Sequence, residues 1–121
     1  MFLATMNKAR RLVYLSYLQD VSVAELERGY QEVEQLLADF PDGFRMLADL
    51  SRLESMDLAC ADIVGKTMEL MDRHGVEMVV RVIPNPAKDI GLNIISIFHY
   101  PNRPRIVTCH TMNEAAQVLA L

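Results

Sequence analysis

The chain has 121 residues, of which 51% are hydrophobic and 23% charged, and its formal net charge is −4. This length and composition indicate a single domain with a sizeable core and exclude a disordered chain. The acidic balance argues against nucleic acid and anionic membranes as partners, because both repel a negatively charged protein.

No apolar run in the sequence reaches the roughly 18 residues that are needed to cross a bilayer. The apolar N-terminal residues also precede the first basic ones, which is the reverse of a signal peptide. We therefore expect a cytoplasmic protein that does not insert into membranes. Cys60 and Cys109 are far apart and form no CxxC motif, so we expect reduced, buried thiols.

The N-terminal residues are predicted to form a β-hairpin and then a helix. Phe2–Met6 suits a short edge strand, Asn7–Arg11 a turn, and Leu12–Leu18 a strand of β-branched, aromatic and aliphatic residues. Ser22 and Glu25 have the spacing of a capping box, which starts a helix. That helix should end before Pro41-Asp42-Gly43. Its predicted apolar stripe is Val23, Leu26, Tyr30, Val33, Leu37 and Phe40.

The middle of the chain reads as strand, loop and helix. Phe44–Leu50 is the predicted strand, and the more polar Ser51–Met56 is the predicted loop. A second helix is expected over Asp57–His74, with Asp57 as its N-cap and Gly75 just beyond its end. The predicted buried stripe of this helix is Leu58, Ala61, Val64, Met68 and Met71.

The C-terminal part repeats the alternation of strand and helix. Val76–Ile83 is nearly apolar throughout, as in a strand that is covered on both faces. Asn85-Pro86 is predicted to start a third helix, and Arg105–Cys109 is the last strand. Thr111 and Glu114 form a second capping box, which starts a terminal helix. The third helix has an apolar side of Ile90, Ile94, Ile97 and Phe98, and the last helix is expected to bury Ala115, Val118 and Leu119 against the sheet.

The predicted order is β-β-α-β-α-β-α-β-α, which favours right-handed parallel crossovers with an antiparallel hairpin at one edge. Within this frame, Asp49–Asp57 reads DLSRLESMD. This run resembles the central signature of the STAS family, which comprises the anti-sigma-factor antagonists and their relatives in sulphate transporters. That signature has an Asp-Leu-Ser run closing a strand, then an apolar position, then Asp-Ser-x-Gly opening a helix. This chain departs from it after Asp57, where it has Leu58, Ala59 and Cys60.

The resemblance implies one STAS domain over residues 1–121, an α/β fold of SpoIIAA-like type. It would have four to five mostly parallel strands, an N-terminal hairpin edge and about four helices. It also implies a non-enzymatic regulatory protein that needs no cofactor and binds a protein partner. Members that are switched by phosphorylation carry a serine where this chain has Leu58. Because leucine has no hydroxyl, we expect no such switch at this position.

The expected partner surface is the start of the second helix together with the loops beside it. Its residues are Asp20, Ser22, Ser55, Met56, Asp57, Leu58, Ala59 and Cys60. Self-association is a further expectation, because a small apolar-rich domain with an exposed edge strand can dimerise.

Two other functions stay open. Sec14-like lipid-binding domains share much of this topology, and Ile90–Tyr100 could line a pocket for a small apolar ligand. A nucleophilic enzyme could use Cys60, near a helix N-terminus, with His110 as its base. No third orienting residue is evident for such a site, and the scattered histidines show no metal-ligand spacing.

Overall fold

A computed structural model describes residues 1–85 and 99–121 of the chain. Its strands are β1 (Phe2–Asn7), β2 (Leu12–Val21), β3 (Arg45–Met56), β4 (Met78–Val82) and β5 (Arg105–Cys109). Its helices are α1 (Val23–Leu37), α2 (Cys60–Arg73) and α3 (Met112–Leu119). The third helix that the sequence predicts, with Ile90, Ile94, Ile97 and Phe98, lies outside the described residues. None of the described helices is long and apolar enough to cross a membrane.

The five strands form one sheet in which their spatial order equals their order along the chain. β1 and β2 pair antiparallel as a hairpin, and every other neighbouring pair is parallel. Each parallel step needs a crossover, and α1 and α2 supply the first two. The predicted architecture, a mostly parallel sheet with a hairpin edge, is therefore confirmed.

The sheet is covered on both faces. On one face α1 and α2 pack over alternate strand residues, among them Val13, Leu15, Met46 and Val79. On the other face α3 covers the intervening positions, such as Leu47. Ala115 and Leu119 of α3 are buried as predicted, but Val118 is 38% exposed, so its predicted burial is wrong. Both cysteines are buried free thiols, as expected.

The segment Ser51–Met56, predicted as a loop, is instead the second half of β3. Two shifts of register let β2 and β3 stay paired to their ends, where Asp20 lies opposite Ser55. Leu53 and Met56 pack against the core from this half of the strand. The exposed polar residues between them gave the segment its loop-like composition.

The start of α2 also differs from the prediction. The helix begins at Cys60 with Ala59 in the N-cap position, so Asp57 is not its N-cap. Leu58 lies in the turn before the helix and is 88% exposed, so its predicted place in the buried stripe is wrong. The stripe is carried instead by Ile63 and other residues further along α2. At the other end, His74 is the C-cap and Gly75 takes a φ of +84°, as predicted.

Candidate protein-interaction surface

An open groove of about 470 Å³ lies where β2 and β3 end and α1 begins. Its lining residues are Asp20, Val21, Ser22, Glu25, Ser55, Met56 and Asp57. Because the two strands are parallel, their carboxyl ends meet at one edge of the sheet. The Ser55 hydroxyl donates to Oδ1 of Asp20, which ties the two strand ends together. The structure thus brings together five of the eight residues that the sequence predicts for this surface.

The wall of the groove on the side of α1 is a helix cap. Oγ of Ser22 accepts a hydrogen bond from the Glu25 backbone amide at 3.2 Å, as the capping box predicts. The Ser22 hydroxyl also donates to Oε1 of Glu25 at 3.3 Å. The amino group of Met1 lies 3.2 Å from the other carboxylate oxygen of Glu25. Its hydrogen bond to that carboxylate is the main reason why the pKa of Glu25 is lowered. Glu25 and the Met1 amino group therefore form an ion pair in this wall of the groove.

The opposite wall leads into the turn that carries Leu58. Oδ1 of Asp57 accepts a hydrogen bond from the Ala59 amide at 3.1 Å. The backbone carbonyl of Asp57 accepts one from the Cys60 amide at 2.9 Å. These two bonds fix a tight turn around Leu58 and point its side chain to solvent, where 88% of it is exposed. Ala59 is exposed beside it.

Cys60 is the predicted surface residue that the structure turns inward. Its side chain is fully buried, and Sγ lies 3.8 Å from the carbonyl oxygen of Val21. Burial, reinforced by the nearby carboxylate of Asp57, raises the pKa of the Cys60 thiol. The pKa shift is opposite in direction to the one that a nucleophilic cysteine needs. The side chain of Cys60 is therefore suited neither to a contact with a partner nor to the role of a catalytic nucleophile.

A small cavity lies behind the groove, between the sheet and α2. Its volume is about 30 Å³, and its lining includes Tyr17, Arg81 and Tyr100. Met56 lines both this cavity and the groove, so its side chain separates the two. The cavity has room for a few water molecules, whereas pockets for small ligands are typically about 300–1,000 Å³. Most of the segment expected to line a lipid pocket, residues 90–98, lies outside the described residues.

Sequence reasoning missed two residues that line the groove, Val21 and Glu25. Val21 is buried at the end of β2, beyond the predicted end of that strand at Leu18. Glu25 had been identified only as part of a capping box. The capping box could have predicted the place of Glu25. It puts Glu25 in the first turn of a helix that follows a parallel strand, and such a turn lies at the carboxyl edge of the sheet.

Comparison with protein-family models gives no match, and neither does comparison with curated proteins. Solved structures do match. The anti-sigma factor antagonist SpoIIAA in its unphosphorylated form has a TM-score of 0.67 at 16% identity, over 99% of this chain and 98% of that one. An uncharacterized protein from Shewanella loihica with a SpoIIAA-like fold gives a TM-score of 0.73 at 12% identity, over 98% and 92% of the two chains.

An anti-sigma factor antagonist from Mycobacterium paratuberculosis has a TM-score of 0.61 at 17% identity, over 100% of this chain and 94% of that one. Identities this low establish the fold alone. The agreement nevertheless extends over nearly the whole chain, and it includes the hairpin edge and the order of the helices. The fold of this chain is therefore the SpoIIAA-like α/β fold, as the resemblance of its central segment to STAS domains predicted.

Proposed function

We propose that this chain is a non-enzymatic regulatory module that binds a protein partner. Its contact surface, called here the Leu58 surface, lies at the carboxyl edge of β2 and β3. The surface comprises Asp20, Ser22, Ser55, Met56, Asp57, Leu58 and Ala59. Two of the structural neighbours are described as anti-sigma factor antagonists, a name that describes action on another protein.

The observation that carries this proposal is the exposure of Leu58. A single exposed leucine is ordinary on a protein surface. Leu58 differs because a hydrogen-bonded turn holds it at 88% exposure beside an open groove. Complete burial of a leucine side chain stabilises a contact by about 1.5–3 kcal/mol. A partner that covers Leu58 would therefore gain a large share of its affinity from this one residue.

The same residue makes the contact independent of phosphorylation at this position. The resemblance to STAS domains places the phosphate-accepting serine of switched members where this chain has Leu58. Without a hydroxyl, the side chain cannot receive a phosphoryl group. Any regulation of the contact would then depend on the amount of partner or on another site.

The proposal is tested by placing the photo-crosslinking residue p-benzoylphenylalanine at position 58 and irradiating living cells of the source organism. We expect one dominant crosslinked protein. Position 36 is the control, because Leu36 of α1 is also exposed but lies outside the Leu58 surface. Capture of the same protein with equal yield at both positions, or no crosslink at position 58, would contradict the proposal.

Self-association through β1 is a separate prediction. Among the described residues β1 is an edge strand that pairs only with β2, and Leu3 on it is 50% exposed. Gel filtration with light scattering over a range of protein concentrations measures the oligomeric state. A monomer at every concentration would exclude a stable dimer without affecting the proposed partner surface.

A further inference from the structure

The chemistry of the Leu58 surface narrows the class of partner. Leu58 and the exposed Ala59 form an apolar tip, and the half-buried Met56 lies at the end of the preceding strand. Methionine is flexible and adapts to the surface that it meets. This tip is small and convex, so its complement is a shallow apolar pocket and not a second flat face.

Carboxylates border this tip. Asp20, Glu25 and Asp57 line the adjoining groove. The segment 54–62 adds two exposed carboxylates, Glu54 and Asp62, and contains no lysine, arginine or histidine. The exposed apolar side chain of Leu58 distinguishes this surface from an ordinary acidic patch, although the Met1 amino group lies against Glu25 and the Asp20 backbone carbonyl.

The hydrogen bonds within the surface orient these carboxylates without neutralising them. The Asp20 carboxylate accepts a hydrogen bond from a serine hydroxyl, and the Asp57 carboxylate accepts one from a backbone amide. Neither donor carries a positive charge. Glu25 differs, since it pairs with the amino group of Met1. Among the described residues no cation pairs with the Asp20 or Asp57 carboxylate, so both charges are available to a cation from outside the chain.

We infer that the partner is a protein with an apolar pocket for Leu58 that is bordered by lysine or arginine side chains. This inference rests on the proposed function and adds the partner's chemistry. Opposite charges around an apolar contact accelerate association and reject acidic competitors. Contacts between exposed charges are also screened by salt, so the complex weakens as ionic strength rises.

Two synthetic amphipathic helical peptides of equal length serve as probes. Both have an apolar face of leucines around a central alanine, which forms a shallow apolar pocket, and the residues that border this face are lysine in one peptide and glutamate in the other. Each is titrated into the ¹⁵N-labelled chain while amide chemical shifts are recorded. We expect the Leu/Lys peptide to shift the signals of residues 20–25 and 55–60, and the Leu/Glu peptide to bind at least about tenfold more weakly.

Variants separate the apolar part from the charged part. Leu58→Ser should lower the affinity of the chain for the Leu/Lys peptide about tenfold or more, whereas the control Leu36→Ser should leave this affinity unchanged. Asp57→Asn should reduce the dependence of the Kd on salt. Equal binding of the two peptides, shifts centred elsewhere on the chain, or full binding by Leu58→Ser would each overturn the inference.

The outcomes also separate this inference from the proposed function. A specific crosslink at position 58 combined with equal binding of the two peptides would support the proposed interaction surface. It would contradict only the inference that the partner has an apolar pocket bordered by basic residues. Absence of a crosslink at position 58 would contradict both the proposed function and the inference about the partner's chemistry. Retention of the crosslink, together with a preference for the Leu/Lys peptide that depends on Leu58, would support both.

Discussion

Replacing Gly29 with alanine should lower the stability of the fold, although alanine is the better helix former. Gly29 lies inside α1 and is buried against the hairpin. A Cβ at this position would be 2.3 Å from both Cδ2 and Cε2 of Phe2 in β1. The ring of Phe2 is in turn fixed by an edge-to-face contact with Tyr17, whose ring centroid is 5.1 Å away.

The magnitude follows from two opposing effects. Ordinary van der Waals contact begins at 3.4 Å, so the ring or the helix would have to retreat by about 1 Å. Overpacking of this kind costs typically about 1–3 kcal/mol. Because alanine has a higher helix propensity than glycine, it stabilises the helix by up to about 1 kcal/mol, which offsets part of this cost. We therefore expect Gly29→Ala to lower the free energy of unfolding by about 1–2 kcal/mol.

Urea unfolding followed by circular dichroism measures this change, and a double-mutant cycle with Phe2→Ala locates its cause. Once the ring is absent, Gly29→Ala should become neutral or stabilising. An equal loss of stability in both backgrounds would refute the steric explanation. A stabilising Gly29→Ala in the otherwise unchanged chain would show that the hairpin does not hold Phe2 against α1.

Tyr100→Phe should leave the free energy of unfolding unchanged or raise it by about 1 kcal/mol, because the buried Tyr100 hydroxyl has no hydrogen-bond partner among the described residues. Urea unfolding measures this change, and a clear loss of stability would show that the hydroxyl has a partner. Burial raises the pKa of the Cys60 and Cys109 thiols. As pH rises through the ordinary thiol pKa of 9.0, the unfolded chain should release these protons before the folded chain does, so stability should fall. Urea titrations from neutral to alkaline pH that show no such fall would contradict this. Leu58→Ser should change stability by less than about 0.5 kcal/mol, whereas Leu37→Ala, at a fully buried position, should cost about 2–5 kcal/mol. Thermal unfolding of the two variants compares them, and a large effect of Leu58→Ser would mean that Leu58 packs within the fold.

Local sequence signals predicted most of the elements. The two capping boxes start α1 and α3 where Ser22 and Thr111 lie, because each hydroxyl accepts a hydrogen bond from the backbone amide of the glutamate three residues later. β5 has the predicted bounds of Arg105–Cys109, since its composition is that of a strand. The parallel pairing of β2 and β3 was also predictable, because the alternation of strands and helices requires a parallel sheet.

The errors lie where pairing with a distant segment, or a local turn, overrides what the composition and spacing of a segment indicate. Ser51–Met56 is polar enough to suggest a loop, and only its pairing with the end of β2 makes it a strand. Leu58 has the spacing of a buried stripe, but the hydrogen bonds of Asp57 form a turn that delays the helix to Cys60 and leaves Leu58 in solvent. The contact between Gly29 and Phe2 joins two elements and has no signature in either.

The order of the described strands and helices, the two capping boxes and the hairpin edge can be predicted from the sequence, because they follow from interactions between residues close together in the chain. The exposure of the residues at the end of β3 can be known only from the tertiary structure. That outcome depends on strand pairing and on packing against α1 and α2, which bring together residues such as Asp20 and Ser55 that are far apart in sequence. The same packing buries Cys60 and leaves Leu58 exposed two residues earlier.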